Sequence, residues 1–392
     1  MPFSRRDLLG MAARAGAASI AAGHLPWAAL LAQTGRIGVA PGKEKLIVRS
    51  LRPPDYETPV GLLDTWLTPV EHFYVRSHMP VPPGLDATTW TLQIDGEVNA
   101  TTALSLDDLR KMPTTTVTTV LECAGNGRAF FEPPVAGIQW GKGAVGNARW
   151  TGVRMADVLK RAGVKSSGRF VVMNAADRPL GAMPDFVRQV PIEKALHPDT
   201  VVAFEMNGQP IPTLHGFPLR AIVPGWQGAY SVKWLTHLRV SDRESDSFWV
   251  ATAYRYPTRR VAPGAAVDPK DMAPLTGLVV KSLITRPADS TTLPPGKIDV
   301  AGFAWAGETD IARVDVSTDH GASWQAARLV GEQAKYSWRR FEFAFEATRP
   351  ESYLIMSRAT DVAGRTQPLT PPWNPSGYLW NAPDSVRIEV KG

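Results

Sequence analysis

Apolar residues recur with a helical period in two short stretches of the chain. In VRMADVLKRAG, Met155, Val158, Leu159 and Ala162 fall on one face and Gly163 supplies the stop. SLDDLRKMP has Ser105 in the N-cap position, Asp108 placed to complete a capping box, and Pro113 as a breaker. Between these helices runs TTTVTTVL, a β-branched strand that leads into Cys123. RFVVM, TVVAF and LRAIV are further short apolar strands. VKWLTHLRV alternates, which puts Val232, Trp234, Leu238 and Val240 on one face. Strands mixed with short helices predict an α+β domain over residues 61–261. Residues 33–60, rich in Gly, Pro and charge, read as an extended arm ahead of it.

The pattern changes after residue 261. VAPGAAVDPKDMAP reads as a linker over residues 262–274, and from residue 275 onward only strand periods remain. IARVDV alternates, STDHGASW is a turn built on Asp319 and Gly321, and RRFEFAFE puts Phe341, Phe343 and Phe345 on one face. SVRIEVK does the same with Val386, Ile388 and Val390. Short strands separated by turn signals predict an antiparallel immunoglobulin-like sandwich over residues 275–392.

Composition alters this picture at one end. Arg5 and Arg6 precede an alanine-rich apolar stretch, so residues 1–32 are expected to be a twin-arginine export signal and the protein to be periplasmic. No later apolar run is long enough to span a bilayer. The formal net charge is +6, but Lys and Arg are spread along the chain without a dense basic run, which argues against a nucleic-acid partner. Thirty-four prolines and thirty-three glycines imply many turns and few long helices.

Cys123 is the only cysteine among 392 residues, so it cannot staple the fold. A lone cysteine is most often a small buried hydrophobe. This one ends a strand and precedes AGNGR, whose glycines let backbone approach a bulky ligand. Arg128 in that turn is placed to hold an anion or to favour a thiolate. No nearby Cys or His has zinc spacing. Cys123 is therefore either a nucleophile or the single protein ligand of a metal held mainly by something else. In FYVRSHMPVP, Arg76 and His78 alternate and point the same way. HGFPLRAIVPGWQGAYSVKWL gathers His215, Arg220 and Lys233 around an apolar strand and a glycine-rich loop, a set suited to phosphate.

FYVRSHMPVP, LECAGNGR, GIQWGKGAVGNARWTGVRM, EMNGQPIPTLHGFPLRAIVPGWQGAYSVKWL and VDVSTDHGASW together, in this order, resemble the sulfite oxidase family of mononuclear molybdenum enzymes. The resemblance spans roughly residues 60–390. It implies a molybdopterin-binding α+β domain of sulfite oxidase type, followed by an immunoglobulin-like domain through which a homodimer forms. It implies that Cys123 ligates molybdenum, the other sulfur ligands coming from the pterin. Tyr74, Val75, Arg76, Ser77, His78, Asp177, His215, Arg220, Ser231, Val232 and Lys233 match the family's pterin and phosphate contacts. Arg76, Arg128, Trp140 and Tyr254 match the pocket that receives the oxyanion, with the arginines orienting it, Trp140 as a wall and Tyr254 donating a hydrogen bond near the metal.

One position departs from the vertebrate-type pattern. In PPWNPSGYLWN, Ser376 stands where a further anion-binding arginine is expected. FYVRSHMP, LECAGNGR and GAVGNARWTG are also similar to the molybdenum subunit of bacterial sulfane dehydrogenase. The implied activity is molybdenum-dependent oxidation of sulfite to sulfate, with electrons passed to an external cytochrome c. The alternatives are a sulfane dehydrogenase subunit acting on protein-bound sulfur, or a reductase on the same scaffold. There is no C-x-x-C-H, so no covalent haem is expected in this chain. A non-catalytic binding protein is a further class, disfavoured because the expected ligand and pterin set are intact.

Overall fold

The two sequence-predicted helices form where their periods place them. The structure, a computed structural model, describes residues 38–391, so the expected export signal lies outside the described residues. Helix Met155–Ala162 buries the expected four residues and ends at Gly163, whose left-handed φ of 68° lets its amide reach Leu159 and Lys160 carbonyls. Helix Leu106–Arg110 starts in a full capping box: Asp108 N donates to Ser105 Oγ at 3.1 Å and Ser105 N donates to Asp108 Oδ2 at 3.0 Å.

Two sheets make up the first part of the body. In one, Thr114–Glu122 pairs with Val145–Arg154, which pairs with Val201–Met206, all antiparallel, and Arg220–Ile222 adds to the last strand. In the other, Leu235–Ser241 lies between Thr91–Gly96, to which it runs parallel, and Phe170–Ala175, to which it is antiparallel. Helix Met155–Ala162 packs its apolar face into the core between these layers, against Leu92, Val171 and Leu238.

VKWLTHLRV departs from the expected continuous strand. Its strand begins only at Leu235, and Trp234 is left-handed at φ 51°. The indole explains the bend, because Trp234 Nε1 is tied to Thr213 O at 2.9 Å. The register shift between Leu235 and His237 follows the same bend. The four expected residues are nevertheless all buried, and the bend leaves Val232 and Lys233 free to turn toward the site described below.

The C-terminal part is a sandwich of two antiparallel sheets closed by one parallel pair. Lys281–Arg286, Gly296–Trp305, Arg339–Ala347 and Arg328–Val330 form one sheet. Thr291–Leu293, Asp384–Val390, Ser352–Asp361, Ile311–Ser317 and Gln325–Ala326 form the other. Val300, Phe341, Ile355 and Ile388 meet between them. Both parts belong to one compact unit that begins at Pro41. Trp66 and Trp338 exchange indole-to-carbonyl bonds at 3.2 and 2.7 Å, and Val120 N donates to Tyr336 O at 2.9 Å. Residues 262–274 end in a strand, Met272–Pro274, paired with Arg255–Pro257. The arm contains a hairpin, Ile47–Ser50 with Asp55–Glu57.

Candidate active site

Strand Thr114–Glu122 delivers Cys123 at its end. The turn that follows is held by Asn126 N to Cys123 O at 2.8 Å and Arg128 N to Gly125 O at 2.9 Å. Cys123 opens into a cavity that Tyr74, Val75, Arg76, Ser77, His78, Asp177, His215, Arg220, Ser231, Val232, Lys233 and Tyr254 line too. Residues from six separated stretches of sequence thus share one cavity with the thiol.

The cations of this cavity are held by polar backbone and by few carboxylates. Arg76 Nη1 bonds Asp55 Oδ1 at 3.1 Å, and the same oxygen accepts Ser77 N at 3.0 Å. Lys233 Nζ donates to Ser77 Oγ at 2.7 Å and Leu214 O at 3.1 Å. Arg220 donates from Nε to Ser231 O at 3.0 Å and from Nη1 to His215 O at 2.9 Å. Lys43 Nζ meets His215 Nε2 at 2.9 Å and donates to Phe73 O at 2.9 Å and to Val70 O. Tyr254, left-handed at φ 53°, sets its hydroxyl 2.6 Å from His78 Nε2.

Burial governs how these groups titrate. It brings Lys233 down to about 7, with Arg220 adding to the fall and Asp177 opposing it. It brings Lys43 down to about 7 against the pull of Glu71, and Arg220 down to about 10. His78 and His215 are held well below the ordinary imidazole range by burial and then by neighbouring cations, so both are neutral. Burial pushes Asp177 up to about 6 and the Cys123 thiol upward, the latter opposed by Arg76 and Arg128. Buried cations under this penalty accept an anion readily, because it restores the solvation they have lost.

Arg128 and Trp140 stand one layer behind the wall. The Arg128 guanidinium is threaded between Gly125, Gly137 and Gly377, where an added Cβ would come within 2.7, 2.7 and 2.9 Å of it. Its Nη1 donates to Ile138 O at 3.0 Å and its Nη2 to Ser376 O at 3.2 Å. Trp140 is fully buried and meets Tyr74 edge-on at 6.5 Å. Sequence reasoning missed Lys43, Asp55 and Phe186. The first two sit in the arm, distant in sequence from every motif, and no local signal marks them; Phe186 stacks on His78 at 4.2 Å.

The donor set fits a pterin-held soft metal. Among the described residues no group of three His, Cys, Asp or Glu could hold a metal ion, so a metal at Cys123 must take its other ligands from a bound organic group. The surrounding cations suit the anionic dithiolene and phosphate of molybdopterin.

Residues 78–249 match the family model of the oxidoreductase molybdopterin binding domain, and residues 273–391 that of the Mo-co oxidoreductase dimerisation domain. Sulfite oxidase of chicken (Gallus gallus) is 37% identical over 367 residues, which are 90% of this chain and 79% of that protein. The chain belongs to the sulfite oxidase family. It is a molybdopterin oxidoreductase, and its cofactor is molybdenum with molybdopterin. Mitochondrial sulfite oxidase of rat (Rattus norvegicus) is 37% identical over 365 residues, 88% of this chain, and the chain spans 66% of that protein's length. The sulfane dehydrogenase SoxCD from Paracoccus pantotrophus aligns in structure with a TM-score of 0.76 at 26% identity, covering 95% of this chain and 94% of that one. The expected fold class, a molybdopterin-binding domain followed by a β dimerisation domain, therefore stands.

Proposed function

We propose that the protein oxidises sulfite to sulfate, taking the oxygen from water and releasing two protons and two electrons. The observation that carries this reading is the single cavity in which Cys123 meets Arg76, Arg220 and Lys233, in a chain 37% identical to sulfite oxidases. When bound, the cofactor supplies oxygen-atom transfer to sulfur and accepts the electron pair.

The chain's own residues do the rest. Cys123 gives the metal its one protein thiolate. Arg220, His215 and Lys233 hold the phosphate end, while Tyr74, Val75, Ser77, His78, Asp177, Ser231 and Val232 wall and bond the pterin. Arg76 and Arg128 draw the dianion in, and Trp140 backs Tyr74. Tyr254, its hydroxyl held by His78 Nε2, donates toward the substrate oxygen. The electrons leave singly to an external cytochrome c. The protein pairs into a homodimer through residues 273–391, which match a dimerisation domain. The paired arginines at 5 and 6 support export to the periplasm, and loading of the cofactor before export would suit them.

A second reading, a molybdenum subunit acting on protein-bound sulfur, is favoured by the structural match to sulfane dehydrogenase over nearly the whole chain. The test is a substrate panel on enzyme purified from a molybdenum-replete host, with an artificial electron acceptor. Turnover of sulfite supports the first reading. Turnover of a protein persulfide with none of sulfite moves the assignment to the second.

A further inference from the structure

Two guanidinium groups cap the ends of a stack of two tyrosine rings. Tyr254 and Tyr378 are parallel within 5°, with ring centroids 5.6 Å apart. Arg128 Cζ lies 5.3 Å from the Tyr378 ring centre, and Arg188 Cζ lies 4.7 Å from that of Tyr254. Tyr254 lines the cavity, and Arg128 stands one layer behind its wall. Arg188 does not line the cavity, and no motif in the sequence marks it.

Arg188 opens the strand Arg188–Pro191 and is only 2% exposed. Its other face covers Tyr230 at 4.3 Å. It donates to the Trp249 carbonyl, yet its buried Nε has no hydrogen-bond partner. Among the described residues it makes no ion pair with a carboxylate. A buried guanidinium without a counter-charge is costly, and aromatic faces offset only part of that cost. Such a group is stabilised when an anion arrives nearby.

The pocket has use for the charge. Arg76 shares its charge with Asp55 at 3.1 Å, and position 376, next to Arg128, holds a serine and not a cation. A cation over the face of Tyr254 withdraws electron density from the ring and makes the phenol a stronger donor toward an oxyanion. We propose that Arg188 is a positioning residue that sets the affinity for the anionic substrate, adding a third positive charge to those of Arg76 and Arg128 and acting through Tyr254. The inference rests on the reading that the substrate is an oxyanion such as sulfite.

The test compares wild type, Arg188→Lys and Arg188→Met as molybdenum-loaded enzymes with equal metal and pterin content. Sulfate binding to the oxidised enzyme is read by calorimetry, and KM and kcat for sulfite are read with an artificial acceptor. Arg188→Met is expected to weaken sulfate binding and raise the sulfite KM about tenfold or more, with a smaller change in kcat. Arg188→Lys, which keeps the charge, should recover most of both. Should Arg188→Met fail to load cofactor, Arg188→Gln takes its place with the same expectation. Sulfate affinity within twofold of wild type in the neutral variant overturns the proposal. So does an Arg188→Lys variant as impaired as the neutral one, since packing alone would then explain the loss, and so does a wild-type enzyme that binds no sulfate. A wild type that binds sulfate through Arg188 but does not turn over sulfite supports the proposal and sinks the sulfite assignment instead.

Discussion

Lys281 Nζ and Glu122 Oε1 meet at 2.5 Å inside the protein, and this pair ties the strand that leads into Cys123 to the C-terminal sandwich. Trp305 Nε1 donates to the other Glu122 oxygen at 2.9 Å, and Asn126 Nδ2, within the Cys123 turn, donates to Oε1 at 2.9 Å. Glu122 is 3% exposed. Removing one partner of a buried pair leaves an uncompensated charge, which costs about 3–5 kcal/mol. Lys281→Met should destabilise the protein by that order, and Lys281→Met combined with Glu122→Gln should recover a large part of it. Denaturant unfolding of the four proteins checks this. Additive losses would show that the two residues do not act as a pair.

Cys123→Ser should fold normally and lose activity, because a hydroxyl is a poor ligand for a soft metal site. Cys123 is half-buried at a strand end, and an oxygen in place of sulfur removes little packing. The expected result is unfolding stability of the apoprotein within about 1 kcal/mol of wild type, with molybdenum content lost. Full turnover in a well-folded Cys123→Ser enzyme would remove Cys123 from the mechanism.

The buried lysines give the cofactor-free protein a pH signature. Burial lowers Lys43 and Lys233 from 10.5 to about 7. Above pH 7 the folded apoprotein has released protons that the unfolded chain still binds, so its stability rises with pH, and it falls again toward pH 7. Each lysine contributes up to about 1.4 kcal/mol per pH unit in this window. Asp177, raised to about 6, acts in the opposite direction but below pH 6, outside the window. Urea unfolding of apoprotein between pH 7 and 9 should show the rise, and Lys43→Met should reduce its slope. The loaded enzyme should show a flatter profile, since a bound anion restores the charged lysines. An apoprotein slope that Lys43→Met leaves unchanged would remove Lys43 from this account.

Local signals were enough wherever one residue's place depends on its near neighbours. The helix Met155–Ala162 and the capping box at Ser105 are written in spacings of three and four residues, and both formed as expected. The sandwich strands carry a period of two, and Val386, Ile388 and Val390 are all buried. That most of the cavity's lining residues belong together was legible for another reason: they sit in motif-length runs that resemble a known family. Lys43, Asp55 and Arg188 escaped both routes. Each reaches the site by a long-range contact, Lys43 with His215, Asp55 with Arg76 and Arg188 with Tyr254, and a contact between distant stretches leaves no mark in either one. Trp234 shows the converse, where alternation predicts a strand and an indole-to-carbonyl bond bends it.

The departure at position 376 lies beside the proposed pocket. Ser376 O accepts Arg128 Nη2 at 3.2 Å, and Ser376 Oγ donates to Arg255 O at 3.3 Å. The loop is fixed by Asn374, whose side chain bonds both the amide and the carbonyl of Tyr378 at 3.0 and 2.8 Å. An arginine at 376 would therefore start next to Arg128, and two guanidinium groups that close repel unless an anion lies between them. Ser376→Arg should lower the stability of the cofactor-free protein slightly and tighten sulfite binding in the loaded enzyme. One charge-assisted hydrogen bond to the dianion is worth about 1.5–3 kcal/mol, or about one to two orders of magnitude in affinity. If the substrate is a protein-bound sulfane, the same side chain should instead obstruct the sulfur-bearing arm and raise the apparent KM. Titrations of wild type and Ser376→Arg against sulfite and against a thiosulfonate-type mimic separate the two outcomes. Unchanged kinetics with both substrates would mean that the side chain at 376 points away from the reacting anion, and the contact of Ser376 with Arg128 would then be one of backbone support alone.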